Sequence, residues 1–259
     1  IEFNTEGSDA FVIKYRDDGT KDWTYFLGGS PFGDPSEIVT SSYNSLYITG
    51  VISGGYFLSK YNSDGSQQWI KKIGGTKESA TINVDVNDAI YIAGFSDGNY
   101  YFDEENDIDF SEFNEIFLTK FDSEGNELWS KTYTGQFEGE PLNTSIDDDG
   151  FIYIAGDTQG DLNGKINNGG SDIFIIKVDS DGVKQWTELI GTEEDEITNT
   201  IIIDNNSIYL SGNRLNAESN NGLEAFVVKL RENEDHIIPP VPQSDYQYPT
   251  DISLTASSF

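Results

Sequence analysis

A chain of 259 residues that is 36% hydrophobic and 13% aromatic can bury a core and is too apolar to stay disordered. Its 46 acidic and 15 basic residues leave a charge of −31, which repels phosphate and argues against nucleic acid or an anionic membrane as partner. The absence of cysteine excludes disulfides, thiol catalysis and thiolate metal sites, and no apolar run approaches the ~20 residues that a membrane-spanning helix needs.

Self-similarity organises the chain from its start. An apolar strand with Phe, then Lys three places on, runs into a Gly turn, and Trp follows that Gly by four. The copies are Phe11/Lys14/Gly19/Trp23, Phe57/Lys60/Gly65/Trp69, Phe117/Lys120/Gly125/Trp129 and Phe174/Lys177/Gly182/Trp186. A fifth copy opens at Phe226/Lys229 and then loses its Gly and Trp. A second motif interleaves with the first: Leu46-Tyr-Ile-Thr-Gly50, Ile90-Tyr-Ile-Ala-Gly94, Ile152-Tyr-Ile-Ala-Gly156 and Ile208-Tyr-Leu-Ser-Gly212. The lysines stand 46, 60, 57 and 52 residues apart, the mark of a constant unit carrying variable loops.

Taken in chain order, Gly7–Leu27 supplies the last two strands of a unit. Whole units are expected at 36–75, 79–134 and 141–190, and a final unit should end at Leu230 without a fourth strand. In the middle unit the predicted strands are Ala80–Val86, Ala89–Gly94, Glu115–Phe121 and Glu127–Tyr133, β-branched and aromatic runs parted by Asp/Asn-Gly turns. The turn before each Trp strand uses Gly where a positive φ is expected.

Strands such as Phe11-Val-Ile and Ile173-Phe-Ile-Ile are apolar on both faces, as sheets stacked radially must be, whereas a sandwich with one wet face would alternate. Four strands per repeat then predict an all-β fold, a β-propeller of four-stranded antiparallel blades, with three complete and two partial blades. Each Trp should pack between adjacent blades. The opening half-unit suggests that the ring is truncated at its N-terminus, and the lack of any methionine that the chain is an excerpt of a longer reading frame.

These units resemble the bacterial β-propeller repeat family, which reads Asp-Ala-Phe-Val-x-Lys, an Asp-Gly turn, a Trp strand, Gly-Gly and an Ile-Tyr-x-x-Gly strand. The resemblance covers residues 8–230; it implies the fold and a place in large secreted bacterial proteins, and no catalytic residues. Residues 1–235 are accordingly read as propeller, and 236–247, with Ile237-Ile-Pro-Pro-Val-Pro, as a stiff linker. Residues 248–259 are similar to the opening strand of cadherin-like repeats of bacterial surface proteins.

Few residues suggest chemistry. The only histidine, His236, falls in the linker segment. The turns are similar to the Asp-box of sialidases, with Asp64 and Asp181 five residues before Trp, but their Gly is displaced by one place. The calcium candidate is the loop at Asp103, Glu105, Asp107 and Asp109, whose carboxylates alternate as oxygen ligands around a hard cation do. It lacks Gly at the sixth place and Glu at the twelfth, so a solvated acidic loop stands beside that reading. The strand-centred lysines 14, 60, 120, 177 and 229 are expected to neutralise nearby carboxylates.

The resulting expectation is a non-enzymatic propeller module of a secreted or cell-surface bacterial protein, an adhesion or scaffold domain for a protein or glycan ligand. No cofactor is implied beyond the calcium candidate. The alternative is a carbohydrate-active or other hydrolytic propeller that uses carboxylates.

Overall fold

The computed structural model describes residues 10–27, 34–52, 55–73, 80–96, 114–137, 143–204, 207–216, 222–233 and 236–238. A two-stranded sheet comes first, β1 (Ala10–Tyr15) against β2 (Lys21–Leu27). Blade 1 is β3 (Asp34–Thr40), β4 (Leu46–Ile52), β5 (Gly55–Tyr61) and β6 (Gln67–Ile73). Blade 2 is β7 (Ala80–Val84), β8 (Ile90–Ser96), β9 (Asn114–Phe121) and β10 (Glu127–Phe137). Blade 3 is β11 (Asn143–Ile146), β12 (Ile152–Thr158), β13 (Asp172–Val178) and β14 (Lys184–Ile190). Blade 4 is β15 (Asp195–Asp204), β16 (Ser207–Asn216), β17 (Gly222–Asn233) and β18 (His236–Ile238).

Every sheet is antiparallel and built from consecutive strands, so each unit pairs only within itself, as propeller blades do. The expected strands of the middle unit fall where the structure has them. The last unit differs: His236–Ile238 pairs with Arg231–Asn233 and supplies a fourth strand where the sequence suggested only a linker. The described residues thus form four four-stranded sheets and one two-stranded sheet.

First strands of successive blades lie side by side, β3 by β7, β7 by β11 and β11 by β15, which marks them as the strands nearest the common axis. Short polar side chains join them where ladder bonds stop. Ser36 Oγ donates to Ala80 O at 3.0 Å, Asn83 Nδ2 to Thr144 O at 3.0 Å, and Ile203 N donates to Ser145 Oγ at 3.2 Å. The apolar faces meet between sheets. Phe174, Ile176 and Val178 of blade 3 pack on Tyr91, Phe95, Ile116 and Leu118 of blade 2, all at most 4% exposed. On the far side Tyr153, Ala155, Ile173 and Ile175 of blade 3 pack on Ile201, Ile208, Leu210 and Leu230 of blade 4.

The two sequence motifs turn out to be one device. In blades 1 to 3 the motif Tyr, the Lys and the Trp stand in a row across strands two, three and four: Tyr47↔Lys60↔Trp69, Tyr91↔Lys120↔Trp129 and Tyr153↔Lys177↔Trp186. The lysine ammonium lies over the tyrosine ring at 5.4, 5.0 and 4.9 Å in the three rows. Lys and Trp then reach forward to the next blade's Gly turn. Lys14 Nζ and Trp23 Nε1 both donate to Ser63 O, at 3.0 and 3.1 Å. Lys120 Nζ and Trp129 Nε1 both donate to Ser180 O, at 3.1 and 3.3 Å. Lys60 Nζ donates to Ser123 O at 2.9 Å, while Lys71 Nζ adds a bond to Gly125 O at 2.7 Å.

The turn glycine has two reasons to be glycine. Gly65, Gly125 and Gly182 have φ of 84°, 71° and 76°, and a Cβ there would meet the preceding blade's indole at 3.2, 2.8 and 3.0 Å. The expectation that the strand lysines neutralise carboxylates is therefore corrected in emphasis. Carboxylates do stand 3.7–3.9 Å from Lys14 and Lys60, but Lys14, Lys60 and Lys120 each donate to a carbonyl of the next blade's turn. A backbone carbonyl is fixed by the turn and can serve as a docking point in every repeat.

Candidate functional site at the rim of blades 3 and 4

At one end of blades 3 and 4 the loop between the second and third strands of blade 3 lies against the connection from blade 3 to blade 4. These are residues 159–171 and 191–194. The longer loop is closed by its own side chains rather than by regular structure. Asn163 (φ 52°) and Gly164 (φ 80°) make the tight Asn-Gly turn that joins Leu162 to Lys165. Asn167 Nδ2 donates to Thr158 O at 2.8 Å, and Leu162, 1% exposed, plugs the loop onto the core. Gly169 and Gly170 let this loop press on the connection: a Cβ at Gly169 would lie 2.5 Å from Thr192 O, and one at Gly170 1.8 Å from Asp195 Oδ1.

Three carboxylates are buried in this region. Asp157, on β12, is 6% exposed; its Oδ2 accepts from Ser171 Oγ at 3.3 Å, and its Oδ1 is buried with no hydrogen-bond partner. Burial pushes its pKa up to about 6, against which the Ser171 hydroxyl works. Asp172, fully buried at the start of β13, accepts from Asn168 N at 2.8 Å through Oδ2, while its Oδ1 is buried against Gly191 with no hydrogen-bond partner. Glu196, on β15, accepts from Thr192 N at 2.8 Å and Thr192 Oγ1 at 2.5 Å. Burial raises the pKa of Asp172 and of Glu196 as well, and Asp172 adds to the rise at Glu196. Arg214, opposite Glu196 on β16, pairs with Glu194 at 3.1 Å and Glu224 at 2.9 Å.

Asp172 and Glu196 have a plain structural reading, because each holds backbone amides of a loop. Asp157 does not. It directly follows the glycine of the Ile-Tyr-x-x-Gly motif, a place that holds Val51 in blade 1, Phe95 in blade 2 and Asn213 in blade 4. Phe95 is 4% exposed and part of the core between blades 2 and 3. Blade 3 therefore puts an ionisable group where the same fold accepts an apolar side chain, which is a cost to folding that packing alone does not require. Aligning the repeats on the motif glycine could have exposed this substitution in the sequence; reading the motifs one at a time passed over it.

The calcium candidate Asp103, Glu105, Asp107 and Asp109 lies outside the described residues. Among the described residues no group of three carboxylates or histidines is placed to hold a metal ion. No helix among them is long and apolar enough to cross a membrane.

No family model matches the chain. It is 27% identical over 118 residues to the regulatory protein FlaEY of Caulobacter vibrioides, a match that spans 43% of this chain and 12% of that protein. Among solved structures it is similar to a protein of unknown function from Bacteroides caccae (11% identity, 81% of this chain and 66% of that one, TM-score 0.47). It is also similar to an α-L-arabinofuranosidase from Clostridium thermocellum (14% identity, 80% and 72% coverage, TM-score 0.44) and to streptogramin B lyase (12% identity, 83% and 75% coverage, TM-score 0.40). At these identities the likeness is one of fold, that of a β-propeller, and no residue role is carried across. The expectation that the chain is not an enzyme is corrected: the solved structures it is similar to include enzymes.

Proposed function

We propose that the chain is a carbohydrate-active propeller module that takes a glycan at the rim of blades 3 and 4, with Asp157 as the group that engages it. The observation that carries this reading is Asp157 itself: buried, half-satisfied, and standing where blades 1 and 2 use Val and Phe and blade 4 uses Asn. Sugar hydroxyls are donors that an under-bonded carboxylate oxygen accepts, and the neighbouring loop carries Asn163, Asn167, Asn168 and Ser171. A carboxyl group held near pKa 6 is also partly protonated close to neutral pH, the state in which it can donate a proton to a glycosidic oxygen. Hydrolysis is the reaction that a carboxyl in this state would serve. A place outside the cell or on its surface suits a glycan partner and a cysteine-free chain of charge −31.

The test compares wild type with Asp157→Val, which restores the residue type of blade 1, and with Asp157→Asn. Binding to a panel of soluble plant and bacterial polysaccharides is followed by calorimetry and reducing-end release. Both variants should remain folded and lose binding or release by tenfold or more. Undiminished binding and release in Asp157→Val would overturn the proposal.

A further inference from the structure

The Gly turns that join third to fourth strands, at Gly19, Gly65, Gly125 and Gly182, face the blade before them, and three of these four are filled. Trp23 covers Gly65, Trp69 covers Gly125 and Trp129 covers Gly182. The fourth, Gly19, has the same geometry, φ 79°, and nothing lies within 4 Å of where its Cβ would be. The Asp17 carbonyl stands two places before Gly19, the position from which Ser63 and Ser180 accept the Lys–Trp pair and Ser123 accepts Lys60.

The sheet behind this turn is bare in the same sense. Phe57, Phe117 and Phe174 occupy the place of Phe11 in their repeats, and Tyr61, Phe121 and Val178 that of Tyr15. Those residues belong to cores shared with the preceding blade; Phe57, Tyr61, Phe174 and Val178 are at most 1% exposed and Phe121 4%. Phe11 and Tyr15 are 58% and 59% exposed, with Phe26 beside Phe11 at 36%. The opposite face of the same sheet is covered, since Val12 and Tyr25 pack on blade 1.

We propose that the face formed by Phe11, Tyr15, Phe26 and the Gly19 turn is the docking surface for a further blade of the same repeat, placed ahead of β1, whose Lys and Trp, nine residues apart, close on Asp17 O and Gly19. Continuity with three built junctions selects this occupant. A second copy of the chain is the weaker fit, because blade 4 presents Lys229 without a tryptophan, and all four tryptophans of the chain already lie inside its own junctions or core. This inference stands apart from the glycan reading and does not depend on it.

The test extends the 259-residue chain ahead of residue 1 with a second copy of residues 80–142, which carries Lys120 and Trp129. The extension should raise the melting midpoint by about 5 °C or more, the scale expected when two large aromatic side chains leave water. Amide exchange in Phe11–Tyr15 should slow at least about tenfold as opening of that strand becomes coupled to the added blade. Trp129→Ala within the added copy should remove the gain, and so should Gly19→Asn, which tolerates a positive φ but fills the socket. The same Gly19→Asn change in the unextended chain should leave its midpoint unchanged. A second extension by a copy of residues 34–79, with Lys60 and Trp69, guards against one added blade failing to fold. No gain from either extension, a gain that survives both substitutions, or self-association of the unextended chain that Gly19→Asn abolishes would each overturn the proposal.

Discussion

Between blades 2 and 3 the contact repeats the design of the earlier junctions: Trp129 lies on Gly182, Lys120 and Trp129 share the Ser180 carbonyl, and Tyr133 Oη donates to Gly182 O at 2.9 Å. Between blades 3 and 4 the design changes. Lys177 lies over Phe151 and Tyr153, at 4.2 and 4.9 Å, and the rim above it is filled by two interlocked loops that enclose buried carboxylates. The first junction satisfies every group it buries in the shared row. The second leaves a carboxylate oxygen of Asp157 and one of Asp172 without hydrogen-bond partners. One fold thus holds a contact tuned for stability next to one that gives stability up.

The largest effect should come from breaking the tuned junction. Trp129→Ala removes an indole wedged on a glycine that cannot move without opening its turn, so we expect a loss of about 3 kcal/mol or more in denaturant unfolding. A loss below about 1 kcal/mol would mean that the clamp contributes specificity rather than stability.

The second effect tests the other junction and has the opposite sign. Because burial raises Asp157 from 3.8 to about 6, its contribution to stability is fully present below the unfolded pKa near 4 and is lost as pH rises through 6. Asp157→Asn should therefore gain on wild type between pH 4 and pH 7, by up to about 3 kcal/mol at the linkage limit of 1.36 kcal/mol per pKa unit. Parallel stability curves for the two proteins across that range would show that the carboxyl is ionised at no unusual cost.

Smaller shifts sharpen the contrast. Lys120→Met keeps the side-chain length and removes the charged donor to Ser180 O, for an expected loss of about 1–2 kcal/mol, read as a lower midpoint in urea. Last, the charge of −31 makes self-repulsion a general tax on the compact state, so the melting temperature should rise modestly from 0.1 to 1 M sodium chloride. A flat or falling profile would place the acidic side chains too far apart to matter.

Much of the fold was legible in the sequence because the repeat states each strand several times over. Ile90-Tyr-Ile-Ala-Gly94 and its sisters mark second strands, and the Phe-x-x-Lys runs mark third strands, whatever their loops do. His236–Ile238 was not legible as a strand: three residues next to two prolines carry no alternation, and only pairing with Arg231–Asn233 makes them a strand. The site was legible only in part. The acidic loop at 103–109 drew attention by its charge, whereas Asp157 is a single aspartate whose meaning depends on what surrounds it.

Local chemistry by itself determined the type of the strands and every one but the last, the glycines that turns with positive φ require, and the burial of both faces, because these depend on spacing and residue type within a few positions. Only the tertiary structure decided that the lysines dock on carbonyls one blade ahead, that Gly182 is a seat for Trp129 while the Gly19 turn stands open, and that Asp157 is removed from water. The physical reason is that a strand's alternation tells which residues share a face but not what that face meets. The partners lie 40 to 63 residues away in the chain, and both desolvation and close packing are set by the surface that arrives there.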